Sequence, residues 1–210
     1  MQPDPNKQAS GLRDKIFAIG RNLADLEPGA LADLRREAGE ATAPRPAYFW
    51  RLAARHEVIR HNEESWLRII RIMAILTDKG DPEGKLSPHV SKSAANNWRG
   101  LGAALCDGGD PQWGVGELDP RPMLSELRFA RMLAATGDMR ADLMERAARA
   151  LAAKKSPGTG GVDCADLAWF LLYSNDPKPG QTLARSYYAR LDRGAASDQP
   201  DDASITGDDE

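Results

Sequence analysis

Histidine and cysteine are scarce in this 210-residue chain, and their scarcity excludes several kinds of chemistry. Cys106 and Cys164 are the only cysteines, too few for a disulfide framework and without the companions that a zinc site needs, so both are read as reduced structural side chains. His56 and His61 stand five residues apart in HEVIRH, about 140° around a helix, where they cannot share a metal as a zincin pair does; His89 stands alone. No apolar run approaches the roughly 20 residues that cross a bilayer, and MQPDPNKQAS has neither the basic start nor the apolar block of a secretory signal. These absences predict a cytoplasmic protein with no membrane contact, no metal and no cofactor. Catalytic motifs are missing as well. SPGTGGVD (156–163) is glycine-rich but lacks the Lys-Ser/Thr pair and the preceding strand of a P-loop, and no nucleophile elbow or paired acid and base is present. A non-enzymatic role is expected.

Period-two alternation is also rare, whereas Ala, Leu, Arg and Glu dominate, which makes the expected fold class all-α, as two small helical-bundle domains. Pro28 at a first helical position and Gly39 beyond the last frame one helix, Pro46 starts PAYFWRLAARHEVI, and Asn62 can cap EESWLRIIRIMAIL. That last helix is apolar on nearly every side except at Arg68 and Arg71, so it is expected at the core. TDKGDPEGKLSPHVSKS (77–93) reads as a long loop before a helix around 94–105. Four further helices are expected near 123–135, 139–154, 163–174 and 180–192, the third capped by Asp163. The domain reading is 1–105 as an N-terminal helical domain, 106–122 as a Gly/Pro-rich linker, 123–194 as a C-terminal helical domain and 195–210 as a disordered acidic tail.

The net charge of −3 hides an uneven distribution: the tail 195–210 holds six of the 31 acidic residues and none of the 28 Lys and Arg, so the body is about +3. Arginine recurs through SELRFARMLAATGDMRADLMERAARALAAKK (125–155), where Arg128 and Arg131, and then Arg146 and Arg149, are three apart and share a helix side. Such a side is either solvated, with Glu126 and Glu145 as partners, or built to meet phosphates. LAATGDMRADLMERAAR also has a weak helix-turn-helix likeness, with Gly137 at the turn, Leu143 inward and the Arg140 helix as a groove reader.

Taken in order, AYFWRL (47–52), SWLRIIRIMAIL (65–76), LGAAL (101–105), SELRFARMLAATGDMRADLMERAARAL (125–151) and DCADLAWFLLYSN (163–175), followed by the pair Tyr187 and Tyr188, resemble the small subunit of the type I-E CRISPR Cascade complex, the CasB family. The resemblance spans about 18–192. The N-terminal extension, the glycine-rich 106–122 segment and the acidic tail are longer than the family pattern requires, and Ala134 and Ala135 stand where members often place arginine. What the resemblance implies is a non-catalytic subunit of a crRNA-containing Cascade, present in two copies beside the backbone and large subunits. Its basic helix faces would stabilise target DNA pairing and the displaced, non-target strand in antiviral defence, while base pairing reads sequence. The expected nucleic-acid-binding residues are Arg35, Arg36, Arg99, Arg128, Arg131, Arg146 and Arg149, with Lys79, Lys85 and Lys92 from the long loop. The alternatives are a sequence-specific helical DNA-binding regulator and a purely structural adaptor.

Overall fold

A computed structural model describes residues 5–36, 46–58, 62–77, 99–115, 117, 120–154 and 162–196. Among these residues the chain forms nine helices: α1 (Pro5–Asp25), α2 (Pro28–Arg35), α3 (Ala47–Arg55), α4 (Glu63–Leu76), α5 (Leu101–Asp107), α6 (Glu126–Ala134), α7 (Gly137–Ala153), α8 (Cys164–Leu172) and α9 (Pro177–Ala196). The only β pairing among them is an isolated parallel bridge between Arg99 and Val162. The fold is all-α, and no described helix is long and apolar enough to cross a membrane.

α4 is the centre, as its composition requires. Trp66, Leu67, Ile69, Ile70, Ile72 and Met73 are all buried, and each large apolar side chain contributes roughly 1.5–3 kcal/mol on leaving water. α2, α7, α8 and α1 pack around it. α1 was not expected from the sequence; Ile16, Ile19 and Leu23, at helical spacing, bury its inner face against α8 and α4. Asp163 caps α8 as expected, its Oδ1 accepting from the Ala165 N–H at 2.9 Å. Asn62 does not cap α4: it takes a left-handed conformation (φ 63°) and its side chain bonds no backbone donor.

The 106–122 segment is buried at its start and exposed at Pro111, Gln112, Val115, Glu117 and Arg121. Cys106, Asp107, Gly108 and Gly109 are buried, α5 lies along α9, and residues from both sides of the segment share one buried cluster. A Cβ at Gly102 would collide with the Leu183 carbonyl and the Ser186 hydroxyl, so only glycine permits this approach. Asp107, 3% exposed, holds the corner together. It accepts from Arg99, from Arg190 Nε at 2.6 Å and from the Gly109 N–H at 2.8 Å. Arg190 Nη2 also donates to the carbonyls of Asp110, Pro111 and Trp113 and lies over the Trp113 ring. Burial pushes the Cys106 thiol up to about 12 and raises Cys164 as well, which fits inert structural cysteines.

A further carboxylate is only partly buried and makes no ion pair among the described residues. Among the described residues Asp166 on α8 accepts only the Leu101 N–H, at 3.2 Å, and it stands near Asp163, which is paired with Arg13 of α1. Burial first, and the Asp163 charge second, push Asp166 up to about 6.

Candidate nucleic-acid interface

Two walls of one cleft come from opposite ends of the sequence. α2 buries Ala30, Leu31 and Leu34, which leaves Arg35 and Arg36 at its free end. Arg35 turns back over α4, where its Nε donates to the Ala74 carbonyl at 2.8 Å and its Nη2 to the Thr77 carbonyl. A cation on the last carbonyls of a helix meets the negative end of its dipole, so this side chain fastens α2 to α4. Arg36 is exposed and paired only loosely with Asp33, at 3.1 Å.

The other wall is α7. Ala141, Met144, Ala147, Ala148 and Leu151 form its buried stripe, and the helical period then turns Arg146 and Arg149 outward. Between stripe and surface run Asp142 and Glu145. Glu145 Oε1 accepts from Arg149 Nη2 at 2.7 Å, while its buried Oε2 lies 3.5 Å from Arg71 Nη1 and 3.8 Å from Arg68 Nη1. Asp142 Oδ1 accepts from Arg68 Nη1 at 2.9 Å. The α4–α7 seam is thus a charge network in which one nearly buried carboxylate serves three guanidiniums.

Arg35, Arg36, Asp142, Glu145, Arg146 and Arg149 together line a cleft of about 610 Å³. Four arginines expected from the sequence therefore meet at one place. Arg128 and Arg131 are exposed on α6 and do not line it. Arg99 does not belong to the set, because its guanidinium is committed to Asp107 and to the Asp110 carbonyl at 3.3 Å. Lys79, Lys85 and Lys92 lie outside the described residues. Arg68 and Arg71, which back the cleft, and Asp142, which lines it, were not in the expected set. Two arginines inside an otherwise apolar helix were the available signal, since a buried guanidinium needs acceptors from its neighbours, here the carboxylates of α7.

The helix-turn-helix likeness fails on its reading residue. Arg140 is 8% exposed, donates to the carbonyls of Ala135 (2.7 Å), Ser174 (3.1 Å) and Phe170 (3.3 Å), and lies over the Phe170 ring. It joins the ends of α6 and α8, so it cannot enter a groove. The aromatic pair near the C-terminus divides its tasks: Tyr187 is buried, stacks on Phe129 at 4.0 Å and donates to the Leu124 carbonyl at 2.6 Å, whereas Tyr188 is exposed.

The model of the family described as CRISPR-associated protein Cse2 matches residues 30–188, a span that includes every residue of the cleft and excludes α1. Comparison with curated proteins and with solved structures gives no match. With the family matching most of the chain, the protein belongs to the Cse2 family, the CasB small subunit of the type I-E CRISPR Cascade, and is a structural Cascade subunit.

Proposed function

We propose that the cleft between α2 and α7 is a phosphate-binding surface through which this Cascade subunit holds nucleic-acid backbone. The observation that carries the reading is the convergence of Arg35, Arg36, Arg146 and Arg149 from two helices on one concavity. Guanidiniums bind phosphate oxygens in a forked, sequence-independent manner. Among the described residues no aromatic side chain lines the cleft, so its lining favours contact with backbone phosphates over base stacking. In the assembled crRNA-guided complex such a surface would stabilise target DNA pairing and the displaced strand. Arg128 and Arg131 supply a second contact on α6, and a second copy of the chain, with the backbone and large subunits, continues the track. The role is non-catalytic. The regulator reading loses its support with the burial of Arg140, while the adaptor reading gives no reason for arginine on both walls.

The test is a salt titration of the full chain with unrelated DNA sequences, repeated on Arg36→Ala combined with Arg146→Ala, and an R-loop assay on the assembled complex. Each phosphate contact contributes roughly 0.9 to the slope of log affinity against log salt on duplex DNA, so the double variant should lower that slope by up to about 1.8. It should also weaken R-loop formation. Salt-indifferent binding, or an unchanged slope in the double variant, overturns the proposal.

A further inference from the structure

We infer that the arginine cleft takes RNA in preference to DNA, with Asp142 accepting a hydrogen bond from a ribose 2′-hydroxyl while the arginines around it hold the adjoining phosphates. The inference rests on the phosphate-binding reading above and names the substrate class of that cleft.

It begins with a carboxylate that a pure phosphate site would not have. Among the described residues two acidic side chains line the cleft, and they differ in their surroundings. Glu145 is 7% exposed and enclosed by Arg68, Arg71 and Arg149, so its charge is answered from behind. Asp142 has a side chain that is 48% exposed. Its Oδ1 is taken by Arg68, and among the described residues its Oδ2 accepts no hydrogen bond. Arg146 follows it by four residues, the spacing at which acid and base commonly pair on a helix, yet no Asp142–Arg146 ion pair forms and Arg146 has no partner among the described residues. An open acceptor and an open cation therefore stand one helical turn apart on the same wall.

Against DNA backbone Asp142 is only repulsive, because every polar atom of a deoxyribose-phosphate strand outside the bases is an acceptor. Base amino groups could donate to it, but among the described residues no lining side chain is aromatic, so the cleft has no aromatic platform to fix a base there. A ribonucleotide supplies both partners at once. Its 2′-hydroxyl donates from the carbon next to the one bearing the 3′-phosphate, which matches an acceptor set beside guanidiniums, and that hydroxyl is the group by which proteins distinguish RNA from DNA.

The experiment measures binding of the full-length protein to one sequence as single-stranded RNA, single-stranded DNA and 2′-O-methyl RNA, which keeps the ribose oxygen and loses its proton. A hydrogen bond to a charged acceptor predicts a preference for RNA over both others on the order of tenfold. In Asp142→Asn the RNA-to-DNA ratio should fall toward one, mainly through tighter DNA binding, with Arg68 still able to donate to the amide oxygen. Equal binding of RNA and DNA by the wild-type chain, RNA-like binding of the 2′-O-methyl strand, or an unchanged ratio in Asp142→Asn overturns the inference. If Asp142→Asn lowers thermal stability, the three-strand comparison on the wild-type protein decides alone. Arg36→Ala with Arg146→Ala separates the two proposals: weaker binding of RNA and DNA alike, without a wild-type preference, refutes only the ribose contact, whereas no effect on either strand refutes the cleft.

Discussion

Arginine serves opposite purposes at two corners of this protein. At the α5–α9 corner Arg99 and Arg190 converge on Asp107, which is buried, and their charges are consumed within the fold. At the α2–α7 cleft Arg36 and Arg146 remain exposed, and Arg149 is held by a neighbour four residues away that it can exchange for a phosphate. The difference lies in the carboxylate. Asp107 depends on Arg99 and Arg190 to answer its buried charge, whereas Glu145, also buried, keeps Arg68 and Arg71 behind it and can release the half-exposed Arg149.

The comparison breaks most severely at Asp107. Asp107→Ala leaves two guanidiniums without their buried partner, and chemical denaturation should register a loss of about 3–5 kcal/mol. A loss under 1 kcal/mol would mean that the corner is held by packing alone.

Asp166 sharpens the comparison, being a partly buried carboxylate that makes no ion pair of its own among the described residues. Its folded pKa of about 6 lies above the ordinary 3.8, so between those values the folded chain binds a proton that the unfolded chain has released. Its contribution to stability is therefore full below about pH 4 and lost as pH rises through about 6, at a cost of up to about 3 kcal/mol at neutral pH. Asp166→Asn, which keeps an acceptor for the Leu101 N–H, should melt higher than wild type at pH 7 and equally near pH 4. Equal melting at both values removes the argument.

The smallest effect on folding is expected where arginine is most exposed. Arg128→Ala with Arg131→Ala should leave stability within about 1 kcal/mol while weakening R-loop formation by the assembled complex. A variant that unfolds early, yet supports normal R-loops in its folded fraction, would remove α6 from the interface.

Much of this organisation is visible in the order of residues, and the missing part has definite causes. The apolar run of α4 announces a central helix, and Asp163 announces a cap, because both signals are local. Glu145 and Arg149 at helical spacing likewise predict their own pair. Arg99 and Arg146 look alike in sequence and have opposite fates, because those fates depend on Asp107 in one case and on an open cleft in the other. The α1 helix is hard to read from sequence because Ile16, Ile19 and Leu23, its large buried side chains among those described, are few and interspersed with polar residues. Glycines and prolines in 106–122 suggest a linker, yet Gly114 lets the chain approach the backbone of Gly194, a close contact that composition alone does not distinguish.

The fastening of Arg35 onto the end of α4 also fixes when the cleft can exist. α2 has eight residues, too few for a helix to persist alone in water, so its arginines hold position only once α4 is in place. The opposing wall lies about 110 residues later in the chain, a long-range pairing that must await synthesis of most of the protein. A partly made polypeptide thus carries arginines but no cleft, and cannot capture polyanions beside the ribosome in the manner of the finished subunit.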